Sequence, residues 1–350
     1  MLAVVKDLPQ AQRVAVMEVP EPKLQPGWVL VKVELAGICG SDLHAYHWTP
    51  DYQERFAGML PAILGHEYTG VVQELGPGVE DVAVGDRVVS RTPISCGRCP
   101  ACLAGQEAIC DHRRLLGVHY AGAMAQYVAV PARNCHVLPP DYPVELAVLS
   151  EPISIAFNAV LKLGSMQGRN VAIIGPGPIG YLVALLAELG GANRIFVLGL
   201  PKDEPRLAIF QENLARVSTA TNLDEMQDLI KERTRSGGAD AAFEVSGAPV
   251  GLDIGLRLVR KRGTVVLLGI ISSTAQVNTN LAVRTETTII GSPAAPERTW
   301  RRMLDYLANL PEANQASFMR AIGETLPLEK AAEAIERLAA GQGFKTVLRP

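Results

Sequence analysis

This sequence lacks an excess of charge of either sign, a basic run and an unbroken apolar span. Its 33 basic residues nearly balance 36 acidic ones, for a net charge of -3. A nucleic-acid surface has no electrostatic support, so no nucleic-acid partner is expected. Residues 1–7 lack the charged start, long apolar core and small-residue cleavage site of a signal peptide. The most apolar long stretch, residues 171–189, is broken by Gly175, Pro176, Gly177, Pro178 and Gly180 and carries Glu188. It reads as strand, turn and helix, and no membrane span is expected. Low-complexity segments and short repeats are also absent. Without a secretion signal, the six cysteines read as metal ligands rather than disulfides, and the expected compartment is the cytoplasm.

What is present suits two domains with full cores. The chain has 350 residues, 48% of them hydrophobic and 20% charged, an ordinary globular balance. Up to about residue 90 it carries short β segments punctuated by Gly and Pro, at 11–17, 28–35, 69–75 and 87–89. Strands this short and evenly spaced predict a small antiparallel barrel or sandwich. From about residue 170 strands alternate with helices: strands at 170–174, 194–198, 239–245, 263–269 and 289–292, and helices around 180–188 and 205–215. That alternation predicts a parallel, doubly wound sheet. Beyond Pro293 come amphipathic helices at 299–308 and 328–340, then a last strand at 344–348.

Several motifs carry chemistry. Cys96, Cys99, Cys102 and Cys110 are four thiols within fifteen residues. Two-residue gaps let a tight turn present both sulfurs to one point, so the set can wrap one tetrahedral zinc and leave no open position. That zinc would be structural, and Cys135 reads as a small buried hydrophobe. Cys39 and His66 offer a thiolate and an imidazole, ligands zinc prefers, although a lone His beside Glu67 is as readily a surface or core pair. Glu151 precedes Pro152 and is expected extended at a helix start. There it is either an acid favoured by the dipole or a carboxylate aimed out of the helix end. Gly175, Gly177 and Gly180, with Pro178 and Ile179 between them, follow a strand and open a helix. This is the context in which the first glycine permits a tight turn, the second a close approach to pyrophosphate and the third close helix packing. The acid that normally ends the next strand is missing; Gly199, Leu200 and Pro201 stand there, with Lys202, Asp203 and Arg206 beyond. Lys202 and Arg206 suit a 2′-phosphate, whereas Asp203 suits ribose hydroxyls, so NAD and NADP both stay open.

Taken in order, these motifs make the chain resemble the zinc-dependent medium-chain alcohol dehydrogenases over nearly its full length. The features that carry the resemblance are Cys-Gly-Ser-Asp at 39–42, Gly-His-Glu at 65–67, the four-cysteine lobe, Glu-Pro at 151–152, the glycine loop and Phe-Glu-Val-Ser-Gly at 243–247. Ser41 to His44 is shared by the polyol branch (sorbitol and butanediol dehydrogenases) and by threonine dehydrogenase. Residues 44–48 lean towards the latter and 150–152 towards the former. The resemblance implies an α/β protein: a GroES-like β-barrel domain over 1–152, a doubly wound Rossmann domain over 153–292, and a C-terminal return over 293–350. It implies Cys39, His66 and Glu151 as ligands of a catalytic zinc. Glu67 would alternate with them or orient them, and Ser41 would pass the substrate proton outward, with His44 continuing the relay. The four-cysteine lobe would hold the structural zinc, and Gly269 joins the cofactor contacts.

The implied activity is oxidation of a secondary alcohol or polyol to a ketone, with NAD or NADP taking the hydride. Expected partners are a small alcohol or polyol and further copies of the chain, as a homodimer or homotetramer. Alternatives are threonine 3-dehydrogenase activity, a reductase-like protein without catalytic zinc, or a non-catalytic nucleotide-binding protein of the same fold. Tyr46, Trp48, His119 and Tyr120 are the expected pocket side chains from their loop positions.

Overall fold

A computed structural model describes residues 1–271, 273–275 and 277–350, and it divides the chain into two compact units. Met1–Glu151 and Ala295–Pro350 together form the first; Pro152–Ala294 forms the second.

The first unit is built on an antiparallel framework. Its long strand Trp28–Gly37 pairs with Glu67–Leu75 on one side and, at its end, with the final strand Lys345–Arg349. Tyr127–Pro131 also lies against it, and Arg87–Ser90 and Cys135–Val137 extend the sheet beyond Glu67–Leu75. Trp28–Gly37 alternates poorly and is buried over most of its length, as expected of a strand enclosed on both faces. Val29, Val31, Val33, Tyr68, Val72 and Leu348 meet in one core with Ile335 and Leu338 of the helix Ala331–Ala339. This is the antiparallel architecture that the spacing of short strands predicts, in the place where the resemblance implies a GroES-like domain.

The second unit has six parallel strands among the described residues. Their order is Val217–Ala220, Arg194–Leu198, Asn170–Ile174, Ala239–Glu244, Val259–Leu267, Thr288–Gly291. In chain order this is 3-2-1-4-5-6, the doubly wound dinucleotide-binding arrangement, with its reversal beside Asn170–Ile174. Asn170–Ile174 and Arg194–Leu198 occupy the ranges predicted from apolar run length.

One local expectation fails. Glu151 is not extended before its proline but sits in the first turn of the helix Ser150–Leu161. Pro152 is tolerated as the third helical residue because the first N–H groups of a helix have no partner within it, so none is lost. Among the described residues, no helix is long and apolar enough to cross a membrane.

Candidate active site and metal centres

Strand register brings the first cluster together. Gly37 stands opposite Glu67 in the antiparallel pair, so Cys39, two residues past one strand, and His66, one before the other, emerge at the same end. Cys39 caps the helix Gly40–His47, and its N–H donates to the Asp42 carboxylate at 2.8 Å. Gly65 has φ +95°, and a Cβ there would lie 2.7 Å from the Met124 backbone nitrogen, so only glycine delivers His66 at this point. The donor atoms of Cys39, His66 and Glu67 all lie within 4.8 Å of one another. A thiolate, an imidazole and a carboxylate at that spacing fit a zinc ion with a position left open.

Glu67 is engaged from the other side by Lys345. The Lys345 ammonium pairs with Glu67 Oε2 and donates to the Ile38 carbonyl at 2.8 Å. Both side chains are almost fully buried, and a Cβ on Gly37 would fall 2.3 Å from the carboxylate, so that glycine opens the space for the pair. Burial pushes the Lys345 pKa down, but Glu67, Cys39 and Glu151 outweigh it and hold the ammonium charged. Burial likewise opposes a charged His66, and Cys39, Asp42 and Glu151 overcome it.

Glu151 lies outside the tight donor group but within electrostatic reach of it. Burial and the neighbouring Glu67 push its carboxyl up to about 7, against the pull of His66 and Lys345, and Thr92 Oγ1 donates to it at 3.4 Å.

Next to the cluster, the Tyr52 hydroxyl is hydrogen-bonded to Ser41, and burial together with the negative charge of Cys39 keeps that phenol protonated. The His44 ring stacks on Tyr52 with centroids 5.6 Å apart, and the Arg55 guanidinium sits 5.3 Å from the same ring. Burial, helped by His47 and Arg55, lowers the His44 pKa, so the ring is neutral near pH 7. Arg55 also lines a pocket of about 390 Å³ with Asp51, Glu54, Arg113, Leu115 and His119. Of the four side chains expected to line a substrate pocket, His119 lines this cavity, which Cys39, His66 and Glu67 do not reach, and Tyr120 lines a separate one. Tyr46 is buried in the core, Trp48 packs against that core beneath the Lys6 ammonium, and Tyr120 makes an edge contact with Trp28.

The four-cysteine lobe is equally well formed. The Sγ atoms of Cys96, Cys99, Cys102 and Cys110 lie within 4.8 Å of one another, Cys99 being 3.5 Å from Cys102 and 3.9 Å from Cys110. A tetrahedral zinc–thiolate site needs sulfurs about 3.8 Å apart, so the donors fit the ion. Backbone N–H groups of Cys102 and Asp111 hold the Cys99 thiol down to about 6. Glu107, within the lobe, faces the Arg91 guanidinium at 3.4 Å and accepts from the Glu297 N–H. Arg91 also pairs with the Glu297 carboxylate at 2.5 Å, and His136 stands 3.6 Å from that carboxylate while stacked flat on Trp300. Cys135 is a free thiol raised by burial to about 12, matching its reading as a small hydrophobe.

In the second unit, Gly175 has φ +112° and its Cβ position touches Ser246 at 3.0 Å. Gly177 precedes the helix Pro178–Leu189 with open space around its Cβ position, whereas a Cβ on Gly180 would strike the Gly175 carbonyl at 2.2 Å. Pro178 and Ile179 form the first turn of that helix. This is a glycine cradle ending in a helix N-terminus, which fits a pyrophosphate. Gly269 follows the strand Val259–Leu267, two along the sheet from Asn170–Ile174, and packs on Gly247, where a Cβ would meet the Gly247 nitrogen at 2.3 Å. Asp203 is turned inward, its Oδ2 accepting from Leu200 N at 3.0 Å and its Oδ1 3.7 Å from Arg206, while Lys202 is exposed.

Sequence reasoning missed Lys345, Asp42, Thr92, Tyr52 and Glu244. Asp42 had a signal, an acid three residues after a helix cap. Glu244 ends a buried strand, with Oε1 bound by Ser246 and Gly247 and Oε2 without a hydrogen-bond partner among the described residues. Glu244 falls within the Phe-Glu-Val-Ser-Gly motif at 243–247, whereas Lys345 carries no local mark.

Comparison with known proteins agrees with this arrangement. Residues 25–140 match the family model for the alcohol dehydrogenase GroES-like domain, and residues 178–309 that for zinc-binding dehydrogenases. An L-threonine 3-dehydrogenase of Bacillus velezensis is 33% identical over 95% of this chain and 94% of its own. A sorbitol dehydrogenase of Halalkalibacterium halodurans is 32% identical over 100% of this chain and 99% of its own. A zinc-binding dehydrogenase of Sinorhizobium meliloti, solved bound to NADP, superposes with a TM-score of 0.85 at 30% identity, over 100% of this chain and 99% of the other.

Proposed function

The chain belongs to the zinc-binding alcohol dehydrogenase family, and from that premise we propose which of its residues perform the reaction. The enzyme is a zinc- and NAD(P)-dependent dehydrogenase of a small alcohol or polyol. The observation that carries our assignment is the convergence of Cys39, His66 and Glu67 at one end of a strand pair. In our reading Cys39, His66 and Glu151 hold the catalytic metal, with Glu67 close enough to replace or orient a ligand. Cys96, Cys99, Cys102 and Cys110 hold the structural one.

When bound, zinc supplies a Lewis acid that eases ionisation of the substrate hydroxyl, and the nicotinamide accepts the hydride. The protein's own groups do the rest. Ser41 Oγ accepts the hydroxyl proton as its own O–H proton passes on toward the neutral His44 ring and solvent, and Tyr52 fixes that serine by hydrogen bonding. Lys345 balances the negative charge that Cys39, Glu67, Asp42 and Glu151 bring to a buried site. Gly175, Gly177, Pro178, Ile179 and Gly180 cradle the pyrophosphate, with Gly269 beside them, and Lys202, Asp203 and Arg206 lie where the adenosine ribose would be. The division of labour is a metal-bearing region, 1–152 with 293–350, and a dinucleotide-binding region, 153–292.

We further propose a homodimer or homotetramer. The strand Thr288–Gly291 is an edge of its sheet and exposes Ile289, with Val283 exposed on the preceding helix, an apolar edge that a second copy would cover. All six cysteines are free thiols, in keeping with a reducing, cytoplasmic setting.

Nicotinamide absorbance of the zinc-loaded protein tests the activity, with NAD and NADP offered separately against polyols, butanediol, threonine and simple secondary alcohols. Turnover of a polyol is expected. Cys39→Ser should abolish turnover and leave nucleotide binding intact; full activity in that variant would remove the metal assignment.

A further inference from the structure

We infer that the enzyme selects NADP over NAD, with Lys202 and Arg206 gripping the 2′-phosphate of the adenosine ribose; this rests on reading the glycine loop as a dinucleotide site. The argument begins at the end of the second strand of the parallel sheet. Leu198 is level with Ile174 in the sheet, and its carbonyl accepts from Gly175 N at 3.0 Å, so Gly199 lies beside the pyrophosphate turn. In NAD sites of this type an acid here takes the ribose hydroxyls and repels a phosphate.

Position 199 has no room for that acid. A Cβ would stand 2.9 Å from Pro176 Cγ, 3.2 Å from Asp203 Cβ and 3.3 Å from Leu207 Cδ1. The proline of the glycine loop fills the space a carboxylate would need. The next acid in the chain, Asp203, is no substitute. It is 9% exposed, and its two oxygens already face the Leu200 N–H and the Arg206 guanidinium. It braces the turn from within.

The groups presented outward at this turn are mainly cationic. Lys202 is exposed, and Arg206 lies in the first turn of the helix Glu204–Asn213 with its side chain 24% exposed. Glu204, exposed in the same turn, is the opposing charge. An arginine fork beside a lysine at a helix N-terminus suits a dianionic phosphate far better than a neutral hydroxyl. Asp203 thereby fixes the Arg206 guanidinium at this turn, where it would meet the phosphate.

Calorimetric titration of the zinc-loaded protein with 2′,5′-ADP and with 5′-ADP tests this without any turnover. The expected result is binding of 2′,5′-ADP about tenfold or more tighter, the size of one charge-assisted hydrogen bond. Lys202→Ala combined with Arg206→Ala should erase that gap, and Lys202→Ala alone should narrow it. Equal affinities, or tighter binding of 5′-ADP, overturn the inference and leave the dinucleotide reading standing. Binding of neither nucleotide overturns both.

Discussion

Lys345 and Glu67 are 278 residues apart in sequence and form a buried ion pair at the edge of the candidate catalytic metal site. The pair joins the last strand of the chain to the residue beside His66. Its effect is to give a site crowded with acids a cation that does not depend on the metal.

Removing the cation should therefore be costly. Lys345→Met leaves a buried carboxylate without its partner, a loss on the order of 3 kcal/mol, or about 10 °C in Tm for a unit of this size. The double variant Lys345→Met with Glu67→Gln should recover part of it. Thermal melting of both variants in zinc-free buffer decides; a double variant no more stable than the single one would mean that the ion pair is not the source.

The four-thiolate lobe should behave differently from the Cys39 cluster. Cys99→Ser is expected to lose one of two bound zinc ions and to melt lower, because a closed thiolate site contributes folding free energy. Zinc content by atomic absorption alongside a melting curve checks it. Unchanged melting with unchanged zinc would argue against a metal at the lobe.

Acid should loosen the contact between the strand Cys135–Val137 and the helix Glu297–Ala308. Burial, with Arg91 and Arg301 nearby, depresses the His136 pKa to about 4 against the pull of Glu297. The unfolded chain, where a histidine titrates near the usual 6.5, then binds more protons between those values. Stability from this group is complete above about pH 6.5 and is lost on the way down to about pH 4, on the order of 3 kcal/mol in all. His136→Gln should flatten the fall of Tm with pH in that window. Parallel curves for the two proteins would exclude His136 as a cause.

Gly180→Ala should damage the nucleotide site and spare the metals. Its Cβ would press on the Gly175 carbonyl, and the backbone strain of about 1–3 kcal/mol corresponds to roughly tenfold or more in nucleotide affinity. Fluorescence titration with NADPH measures it, zinc content serving as the control. Native affinity would place the pyrophosphate elsewhere.

The parts of this protein legible in its sequence are those whose chemistry is local. The cysteine lobe folds around itself, and the glycine loop with its flanking strand and helix declares both geometry and ligand within a dozen residues. Strand ranges such as Asn170–Ile174 followed from apolar runs enclosed on both faces. Lys345 was illegible because nothing near it in the chain differs from an ordinary strand; its partner arrives through sheet pairing. Glu151 is helical because the helix begins at Ser150, two residues before its proline. That Glu67 stands among the metal donors is likewise a matter of register, set by Gly37 opposite Glu67.

The strand Lys345–Arg349, which completes the first unit, also sets a schedule for synthesis. Residues Pro152–Ala294 are contiguous and can fold while translation continues. The barrel has to wait. Until the final strand emerges and pairs with Trp28–Gly37, Glu67 has no ammonium beside it. A nascent chain halted shortly before Lys345 would carry a finished nucleotide domain and an acidic, unneutralised metal pocket. The metal site therefore matures only once residues 345–349 have been made and paired.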